Sequence, residues 1–234
     1  MHMQCVIVAA GKGTRLRPLT ENTPKPLVKV AGKTLLDYVV EALPSAVDEL
    51  ILVTGYLEEQ IIKYCGDEFH GRKVTYVHQE EQNGPAKALW LCKDLIKGRF
   101  ILMFADDIHG KSDLARATSY SRSMLAVTSD TPERFGVIVR NPDGTLSEMI
   151  EKPAHPPSNL VSTGPLVLDA NIFSFEPASP INGEYFMPEI LERYSAKYPI
   201  AVVEQQLWIP IGYPEDIDRA ESALSTITKS RQKA

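Results

Sequence analysis

The chain has 234 residues, of which 44% are hydrophobic and 24% are charged, a balance typical of a soluble globular protein with one large or two small domains. A formal net charge of -5 argues against general nucleic-acid binding, and no apolar run approaches the roughly 20 residues that cross a bilayer. Three widely spaced cysteines without a CxxC pair argue against disulfides or a zinc site. With no signal-peptide features in the first residues, they favour a cytoplasmic protein.

The first half of the chain alternates between strand and helix patterns. The predicted order is strand 4–10, helix 34–43, strand 49–55, helix 57–65, strand 73–79, helix 85–96 and strand 99–105. Thr34 is placed to cap the first helix, Pro44 to end it, and Gly66 to end the second. Because apolar strands alternate with amphipathic helices, we predict a parallel sheet covered by helices on both faces.

Shorter strand patterns follow residue 110. We predict strands at 124–129, 135–141, 146–152 and 160–168, then helices at 186–197 and 214–227. No internal repeat or long linker interrupts the chain. We therefore predict one domain over residues 1–227, followed by a polar, frayed tail at 228–234.

The loop after the first predicted strand is basic although the chain as a whole is acidic. Between Gly11 and Leu36 there are six cations and one acid, which favours a small anionic ligand. The glycines at 11 and 13 let a ligand approach the backbone, whose successive N–H groups can form an anion-binding nest. Arg15 can fork onto phosphate oxygens, and prolines on both sides stiffen the chain around Lys25. Open α/β sheets bind ligands at such strand ends.

Two familiar phosphate-binding motifs do not fit this loop. The dinucleotide fingerprint GxGxxG fails because Leu16 stands where its third glycine is required. The P-loop pattern before Lys33 and Thr34 fails because Leu27 stands in place of its first glycine. The residues alone leave two interpretations open, a phosphate-binding loop and a solvated basic loop.

Residues 9–27 read AAGKGTRLRPLTENTPKPL, which resembles the signature of the sugar-1-phosphate nucleotidylyltransferases, or NDP-sugar pyrophosphorylases. That signature joins a GxGTRxxPLT loop to a PKP arm, and both parts occur here with the expected gap. The similarity continues through segments 78–89, 104–110, 135–153, 161–173 and 208–224. It implies a Rossmann-like, three-layer α/β/α nucleotidyltransferase fold with a mixed, mostly parallel central sheet, in a single-domain form without a C-terminal β-helix.

The resemblance also implies an activity. Members of the family transfer a nucleotidyl group from a nucleoside triphosphate to a sugar 1-phosphate, release pyrophosphate and use Mg²⁺ as cofactor. Because the attacking phosphate is already an anion, the protein must align two anions and neutralise growing charge, and it needs no general base. Residues 1–110 would form the nucleotide-binding half and residues 111–227 the sugar-phosphate-binding half. Neither a nucleic acid nor a membrane is expected as a partner, and homo-oligomer formation stays open.

Matching positions give the expected site residues. Arg15 and Lys25 would be catalytic, with Arg15 on the β,γ-phosphates and Lys25 on the α-phosphate and the attacking phosphate. Asp106 and Asp107 would form the metal site, with Asp106 on the ion and Asp107 supporting it. The expected nucleotide-binding residues are Ala10, Gly11, Gly13, Thr14, Gln79 and Gly84. The expected sugar-phosphate-binding residues are Gly136, Glu151, Lys152 and Gly164.

Gln79 bears on the choice of base. Its amide offers one donor and one acceptor, which suits the O4/N3–H edge of uracil or thymine. UTP or dTTP with glucose 1-phosphate is therefore the favoured substrate pair. A mannose-1-phosphate guanylyltransferase and a non-catalytic NDP-sugar-sensing subunit are the alternatives.

One position departs from the family pattern. The W-x-D-x-G segment of the family supplies a second metal-binding aspartate, but this chain has Pro210 at that position, between Trp208 and Gly212. A proline side chain cannot ligate a metal, so the expected site is incomplete, rebuilt with water or completed by another residue. Asp216 is a candidate for completing it, and its alternative role is to begin the last helix.

Overall fold

The computed structural model describes residues 3–231. No helix in this range is long and apolar enough to cross a membrane. The helices are α1 Leu35–Ala42, α2 Glu58–Cys65, α3 Pro85–Trp90, α4 Lys111–Thr118, α5 Met187–Ser195 and α6 Glu215–Arg231. The strands are β1 Met3–Val8, β2 Lys29–Val30, β3 Lys33–Thr34, β4 Val47–Thr54, β5 Glu68–Phe69, β6 Arg72–His78, β7 Arg99–Phe104, β8 Asp107–His109, β9 Ser123–Thr128, β10 Gly136–Arg140, β11 Leu146–Glu151, β12 Leu160–Asp169, β13 Ala201–Glu204 and β14 Trp208–Pro210.

A ten-stranded mixed sheet runs through the described part of the chain. Its centre consists of β7, β1, β4 and β6, which lie side by side and parallel. Beyond β7 the sheet continues with β12, β10 and β11 in antiparallel pairings, and β9 also pairs with β12. The short β5 closes the other edge.

Helices cover both faces of the sheet because successive residues of a strand point to opposite sides. In β1, Cys5 and Ile7 belong to the core formed with α1, α2 and α4, whereas Val6 belongs to the core formed with α3 and α5. The fold is a three-layer α/β/α arrangement around a mixed sheet with mostly parallel central strands, as the resemblance implied.

The predicted elements correspond to helices and strands of the structure, with ends that differ by a few residues. Thr34 caps α1 as predicted, since its side chain accepts the N–H of Asp37. Several elements escaped the sequence patterns, namely α4, β13 and the strands of two or three residues, β2, β3, β5, β8 and β14. The α4 helix buries only Asp113, Leu114 and Ala117, and so narrow an apolar face gives little periodic signal. The four-residue β13 is too short to show alternation.

Two helix ends differ most from the sequence prediction. The α3 helix ends at Trp90 rather than at residue 96, and the turns that follow still bury Cys92 and Ile96. The α6 helix continues to Arg231, past the predicted boundary at residue 227. The remaining part of the predicted tail, residues 232–234, lies outside the described residues.

A third, smaller core joins the loop after β1 to the C-terminal part of the chain. Leu16 and Val28 from the first region pack with Ile209, Ile211 and Ala220 from the second. This packing brings the segment 208–216 next to the loop that carries the expected catalytic cations.

Candidate active site

The candidate site lies at the carboxyl ends of the central parallel strands. The signature loop follows β1, Asp106 follows β7, and Gln79 follows β6. In the sheet, β7 is the neighbour of β1, and β6 is separated from β1 only by β4. Because parallel strands end at the same edge, the three segments converge where open α/β sheets bind ligands.

Gly13 brings the two ends of the signature loop together. Its backbone is left-handed, with a φ of 59°, and a Cβ there would lie 3.0 Å from Lys25 Cβ and 3.2 Å from Thr20 Cγ2. The Thr20 hydroxyl donates a hydrogen bond to the Gly13 carbonyl at 2.7 Å. The position therefore needs glycine both for its backbone angle and for the close approach of the Lys25 arm.

Lys25 opens a short 3-10 turn that follows Pro24. Its Nζ lies 3.2 Å from Asp106 Oδ2, so the ion pair joins the loop after β1 to the end of β7. The lysine side chain is 13% exposed and the aspartate side chain 40%. The carboxylate is thus the more open member of the pair.

A first cleft, of about 520 Å³, opens along the signature loop. Most of the expected nucleotide-binding residues line it together with both expected catalytic residues: Gly11, Gly13, Thr14, Arg15, Lys25, Gln79 and Gly84. Ala10 is different, because it is buried and its carbonyl accepts the Tyr56 N–H at 3.1 Å. Ala10 supports the loop from behind and does not line the cleft.

Gln79 and Gly84 contact each other in the wall of the first cleft. Gln79 is 5% exposed, and its Nε2 donates to Asn83 Oδ1 at 3.2 Å and to the Gly84 carbonyl at 3.4 Å. Gly84 has a φ of 102°, and a Cβ there would lie 2.5 Å from the Tyr185 carbonyl oxygen. The Tyr185 backbone therefore requires glycine at position 84, independently of a ligand.

A second cleft, of about 590 Å³, adjoins the first. All four expected sugar-phosphate-binding residues line it: Gly136, Glu151, Lys152 and Gly164. The two clefts share Arg15, Lys25, Phe104 and Asp106. The residues expected to bind nucleotide and those expected to bind sugar phosphate thus flank one point, where the two expected catalytic cations lie.

The end of β11 holds Lys152 in an uncommon backbone conformation. Its φ is 44°, in the left-handed region that residues other than glycine rarely adopt. Its N–H donates to the Phe135 carbonyl at 3.0 Å, and its Nζ lies 3.3 Å from Glu151 Oε1. Such strain persists only where neighbouring contacts fix it, and it concentrates at functional sites.

Asp107 faces protein donors. Its Oδ2 accepts the Trp208 Nε1–H at 2.8 Å, and its Oδ1 accepts the Ile211 N–H at 3.0 Å. Burial, reinforced by the neighbouring charge of Asp106, raises the pKa of Asp107 to about 7. This carboxyl group ties the end of β7 to the C-terminal segment, which is a supporting position beside Asp106.

The C-terminal segment places no carboxylate where the family pattern has one. β8 and β14 pair antiparallel with Pro210 directly opposite Asp107, and Pro210 lines the second cleft. Asp216 is committed elsewhere, because its Oδ2 accepts the N–H groups of Gly212 at 2.9 Å and Tyr213 at 2.8 Å. Asp216 therefore fixes the turn at the start of α6, which is the second of the two roles considered for it.

The carboxylates of the site fit a metal ion that substrate phosphates help to hold. Within residues 3–231, no group of three or more His, Cys, Asp or Glu side chains is arranged to hold a metal ion. Asp106, however, is partly exposed and lines both clefts. Mg²⁺ commonly binds through one or two carboxylates plus substrate phosphates. The donor set suits an ion shared between Asp106 and a bound polyphosphate.

Arg134 and Tyr213 are among the cleft residues that the sequence prediction did not include. Arg134 ends a short 3-10 turn before β10, and Tyr213 lies in the turn before α6. The guanidinium carbons of Arg15 and Arg134 lie 5.7 Å and 5.9 Å from the centroid of the Tyr213 ring. Tyr213 lies in segment 208–224, which the resemblance covers, and Arg134 directly precedes another such segment, 135–153. The sequence could have drawn attention to each residue but not to the contact between them.

The fold agrees with the comparisons with known proteins. The family model for the nucleotidyl transferases matches residues 4–226, and the chain belongs to this family. It is 40% identical over 238 residues to the UTP--glucose-1-phosphate uridylyltransferase AglF of Haloferax volcanii, covering 97% of this chain and 98% of that protein. It is 31% identical over 225 residues to the bifunctional protein GlmU of Methanocaldococcus jannaschii, covering 95% of this chain but only 54% of that protein.

Solved structures share the fold. A Bacillus anthracis protein assigned as a glucose-1-phosphate thymidylyltransferase, in complex with a sucrose, has a TM-score of 0.82, with 26% identity and coverage of 94% of both chains. A UDP-glucose pyrophosphorylase complexed with UDP-glucose has a TM-score of 0.79 and 24% identity, covering 97% of this chain and 99% of that one. The second likeness shows the fold alone. Together they confirm the Rossmann-like fold class.

Proposed function

We propose that this chain transfers a uridylyl group from UTP to glucose 1-phosphate and forms UDP-glucose and pyrophosphate. The observation that carries this proposal is the meeting of two clefts at Arg15, Lys25 and Asp106. Similarity to the uridylyltransferase AglF over 97% of the chain supports the choice of substrates. dTTP is the second candidate nucleotide, and the likeness to the Bacillus anthracis thymidylyltransferase favours it.

The reaction requires alignment more than acid–base chemistry. A phosphate oxygen of the sugar phosphate forms a bond to the α-phosphorus, while the bond from that phosphorus to the pyrophosphate oxygen breaks in line. The nucleophile is already an anion, so no proton has to be removed. Two adjoining clefts that share one cationic point would bring the two anions into contact, which is the main requirement of such a transfer.

Each cation of the site would bind a different part of the substrate phosphates. Lys25 would contact both reacting phosphates, because it lies where the clefts meet and its ion pair with Asp106 fixes its Nζ there. Arg15 would hold the β,γ-phosphates and the departing pyrophosphate. Lys152 would pair with the sugar phosphate, and Glu151 would accept hydrogen bonds from sugar hydroxyls. Fixed charges of this kind stabilise developing charge without having to reorganise during the reaction.

Mg²⁺ is the proposed cofactor, and Asp106 is the residue that would hold it together with the triphosphate. The ion supplies positive charge that neutralises the phosphate oxygens and orients them. Asp107 would position Asp106 rather than ligate the ion, since Trp208 and Ile211 already engage its two oxygens. With proline at position 210, the affinity for the ion should depend strongly on bound nucleotide.

The test measures pyrophosphate release with Mg²⁺, each of five nucleoside triphosphates and a panel of hexose 1-phosphates. The expected result is the fastest turnover with UTP and glucose 1-phosphate, abolished by EDTA. Preference for GTP with mannose 1-phosphate would contradict the pyrimidine assignment. Binding of UDP-glucose with no turnover for any pair would instead identify a sensing protein.

The metal role has a separate test. Mn²⁺ binding in the presence of a non-hydrolysable UTP analogue, followed by electron paramagnetic resonance, should be lost in Asp106→Asn. The matched control is Asp94→Asn, because Asp94 is exposed and lines neither cleft. Wild-type Mn²⁺ binding by Asp106→Asn would show that Asp106 is not the ligand.

A further inference from the structure

Most charged groups of the second cleft are paired with each other. Its cation–carboxylate pairs are Lys25 with Asp106 at 3.2 Å, Lys152 with Glu151 at 3.3 Å, and Arg219 with Asp216 at 3.1 Å. Two arginines that line the same cleft differ from these, namely Arg15 and Arg134. Within residues 3–231, neither guanidinium has a carboxylate or a hydrogen-bond acceptor as partner. The cleft therefore carries two unpaired positive charges.

One aromatic ring contacts both of these charges. The guanidinium carbons lie 5.7 Å and 5.9 Å from the Tyr213 ring centroid, within the range of about 6 Å over which a cation is attracted to a ring face. The backbone of Tyr213 is held in place, since its N–H donates to Asp216 Oδ2 at 2.8 Å and its carbonyl accepts the Asp216 N–H at 3.0 Å. A hydrogen-bonded turn thus presents one ring to two arginines that come from distant parts of the chain.

The turn that carries Arg134 is also anchored to the site. The next residue, Phe135, packs edge-on against Trp208 with ring centroids 5.2 Å apart. The Phe135 carbonyl accepts the Lys152 N–H at 3.0 Å. Arg134 therefore projects from a segment that two other cleft residues hold in place.

Two guanidinium groups that line one cleft and contact one ring, neither with a carboxylate partner, repel each other, and an anion bound in that cleft relieves the repulsion. The planar fork of arginine matches phosphate oxygens, and charge-assisted hydrogen bonds to phosphate are among the strongest in proteins. We propose that Arg134 binds a phosphate group of the substrates together with Arg15, and that Tyr213 is the positioning residue for both.

This inference rests on the proposed function and adds Arg134 and Tyr213 to its site. The phosphate has two sources in that reaction. One is the pyrophosphate end of the triphosphate, which Arg15 is expected to hold. The other is the sugar 1-phosphate, whose cleft Arg134 lines. Both present the same chemistry, and kinetics can separate them.

The first experiment compares Arg134→Gln with Arg140→Gln. Arg140 lies exposed on β10, pairs with Glu204 at 2.8 Å and lines neither cleft, so it is a matched control. The readouts are kcat and KM for UTP and glucose 1-phosphate, and KM for inorganic pyrophosphate in the reverse direction. Arg134→Gln should raise either the KM values for UTP and pyrophosphate or the KM for glucose 1-phosphate about tenfold to a hundredfold, the loss expected for a charged hydrogen bond. Arg140→Gln should change none.

The pattern of the change identifies the phosphate. A rise for UTP and pyrophosphate assigns Arg134 to the polyphosphate, and a rise for glucose 1-phosphate alone assigns it to the sugar phosphate. Unchanged KM and kcat for all three substrates would overturn the proposal. Thermal unfolding of the variant should match the wild type, because the Arg134 side chain has no ion pair or hydrogen bond within residues 3–231 and the Tyr213 ring that it contacts is exposed.

The second experiment tests the positioning role with a pair of variants at one residue. Tyr213→Phe keeps the ring face that both arginines contact, and Tyr213→Leu removes it. Tyr213→Leu should raise the same KM as Arg134→Gln. Tyr213→Phe should retain KM values near those of the wild type. Equal losses in the two variants, or no loss in Tyr213→Leu, would refute the role of the ring.

Direct binding separates the failure of this inference from the failure of the proposed function. Calorimetry measures the affinities of inorganic pyrophosphate and of glucose 1-phosphate for the wild type and for Arg134→Gln. Absence of turnover in the wild type would refute the proposed function. Weaker binding of either compound by Arg134→Gln would still support the proposal that Arg134 binds a phosphate together with Arg15. Equal affinities for both compounds, or no binding by the wild type, would overturn the inference whatever the turnover.

Discussion

The loop after β1 and the segment 208–216 contribute to the same site in different ways. The loop supplies cations, and its geometry is set locally by Gly13 and by the prolines around Lys25. The segment supplies an N–H donor in Trp208 and an aromatic ring in Tyr213, which act on residues far away in the sequence. Of these two regions, the loop carries the groups that would touch substrate within one local motif, whereas the segment carries supporting groups whose contacts depend on tertiary packing.

The packing between the two regions explains why proline at position 210, which departs from the family pattern, does not disrupt the loop after β1. Leu16 of the loop and Ile209 and Ile211 of the segment share one apolar core. Ile209 and Ile211 are buried in that core, whereas Pro210 between them is exposed to the second cleft. A change at position 210 therefore alters the chemistry of the cleft and leaves its architecture intact.

Lys25→Ala tests the first region and is expected to have the largest effect. Removal of one fixed charge that stabilises a transition state lowers kcat by about 10²–10³-fold. Lys29→Ala is the matched control, because Lys29 is exposed on β2 and lines neither cleft. The measurement is kcat with UTP and glucose 1-phosphate, alongside thermal unfolding. Near-normal turnover in Lys25→Ala would refute the role proposed for it.

Gly84→Ala tests whether the glycine beside Gln79 in the first cleft is required by the fold or by the ligand. A Cβ at 2.5 Å from the Tyr185 carbonyl and a φ of 102° should lower the free energy of unfolding by about 1–3 kcal/mol. Gly98→Ala is the control, since nothing lies within 4 Å of its added Cβ, and its effect should stay below about 0.5 kcal/mol. Chemical denaturation measures both. Full stability of Gly84→Ala together with weakened UTP binding would assign this glycine to the ligand alone.

The contrast between the regions also explains what could be predicted from the sequence. The parallel strands, and the position of Arg15, Lys25 and Asp106 after two of them, were predictable because apolar runs and loop motifs are local patterns. The bond from Trp208 to Asp107 joins residues 101 positions apart, and no spacing rule connects them. Arg134 and Tyr213 escaped for the same reason, since they meet only when β10 and α6 pack beside the loop.

Trp208→Phe tests the second region and should have an intermediate effect. It removes the N–H that binds Asp107 and should lower the free energy of unfolding by about 1–2 kcal/mol. Trp90→Phe is the matched control, because Trp90 packs against Phe173 with ring centroids 5.3 Å apart and lines neither cleft. Chemical denaturation without divalent metal gives both values.

The effect of Trp208→Phe should also depend on pH. Burial raises the pKa of Asp107 to about 7, so the folded state favours the protonated acid, and stability falls as pH rises from the ordinary carboxyl range through about 7. Loss of the Trp208 donor should raise this pKa further and extend the fall to higher pH. The deficit of Trp208→Phe should therefore grow between about pH 6 and pH 8, whereas that of Trp90→Phe should stay constant. A pH-independent deficit in Trp208→Phe would mean that only packing was lost.

Pro210→Asp is expected to have the smallest effect, which is a gain in metal affinity. Pro210 lies opposite Asp107 in the β8–β14 pair and lines the cleft that Asp106 shares, so a carboxylate there should raise Mn²⁺ affinity in the absence of nucleotide severalfold. Because the added charge lies near two other carboxylates, the variant should also unfold at a lower temperature without metal and recover when Mn²⁺ is added. Pro210→Ala should show neither change. If Pro210→Asp binds Mn²⁺ no better than Pro210→Ala, position 210 does not limit the metal site, and Asp106 with the nucleotide must then suffice.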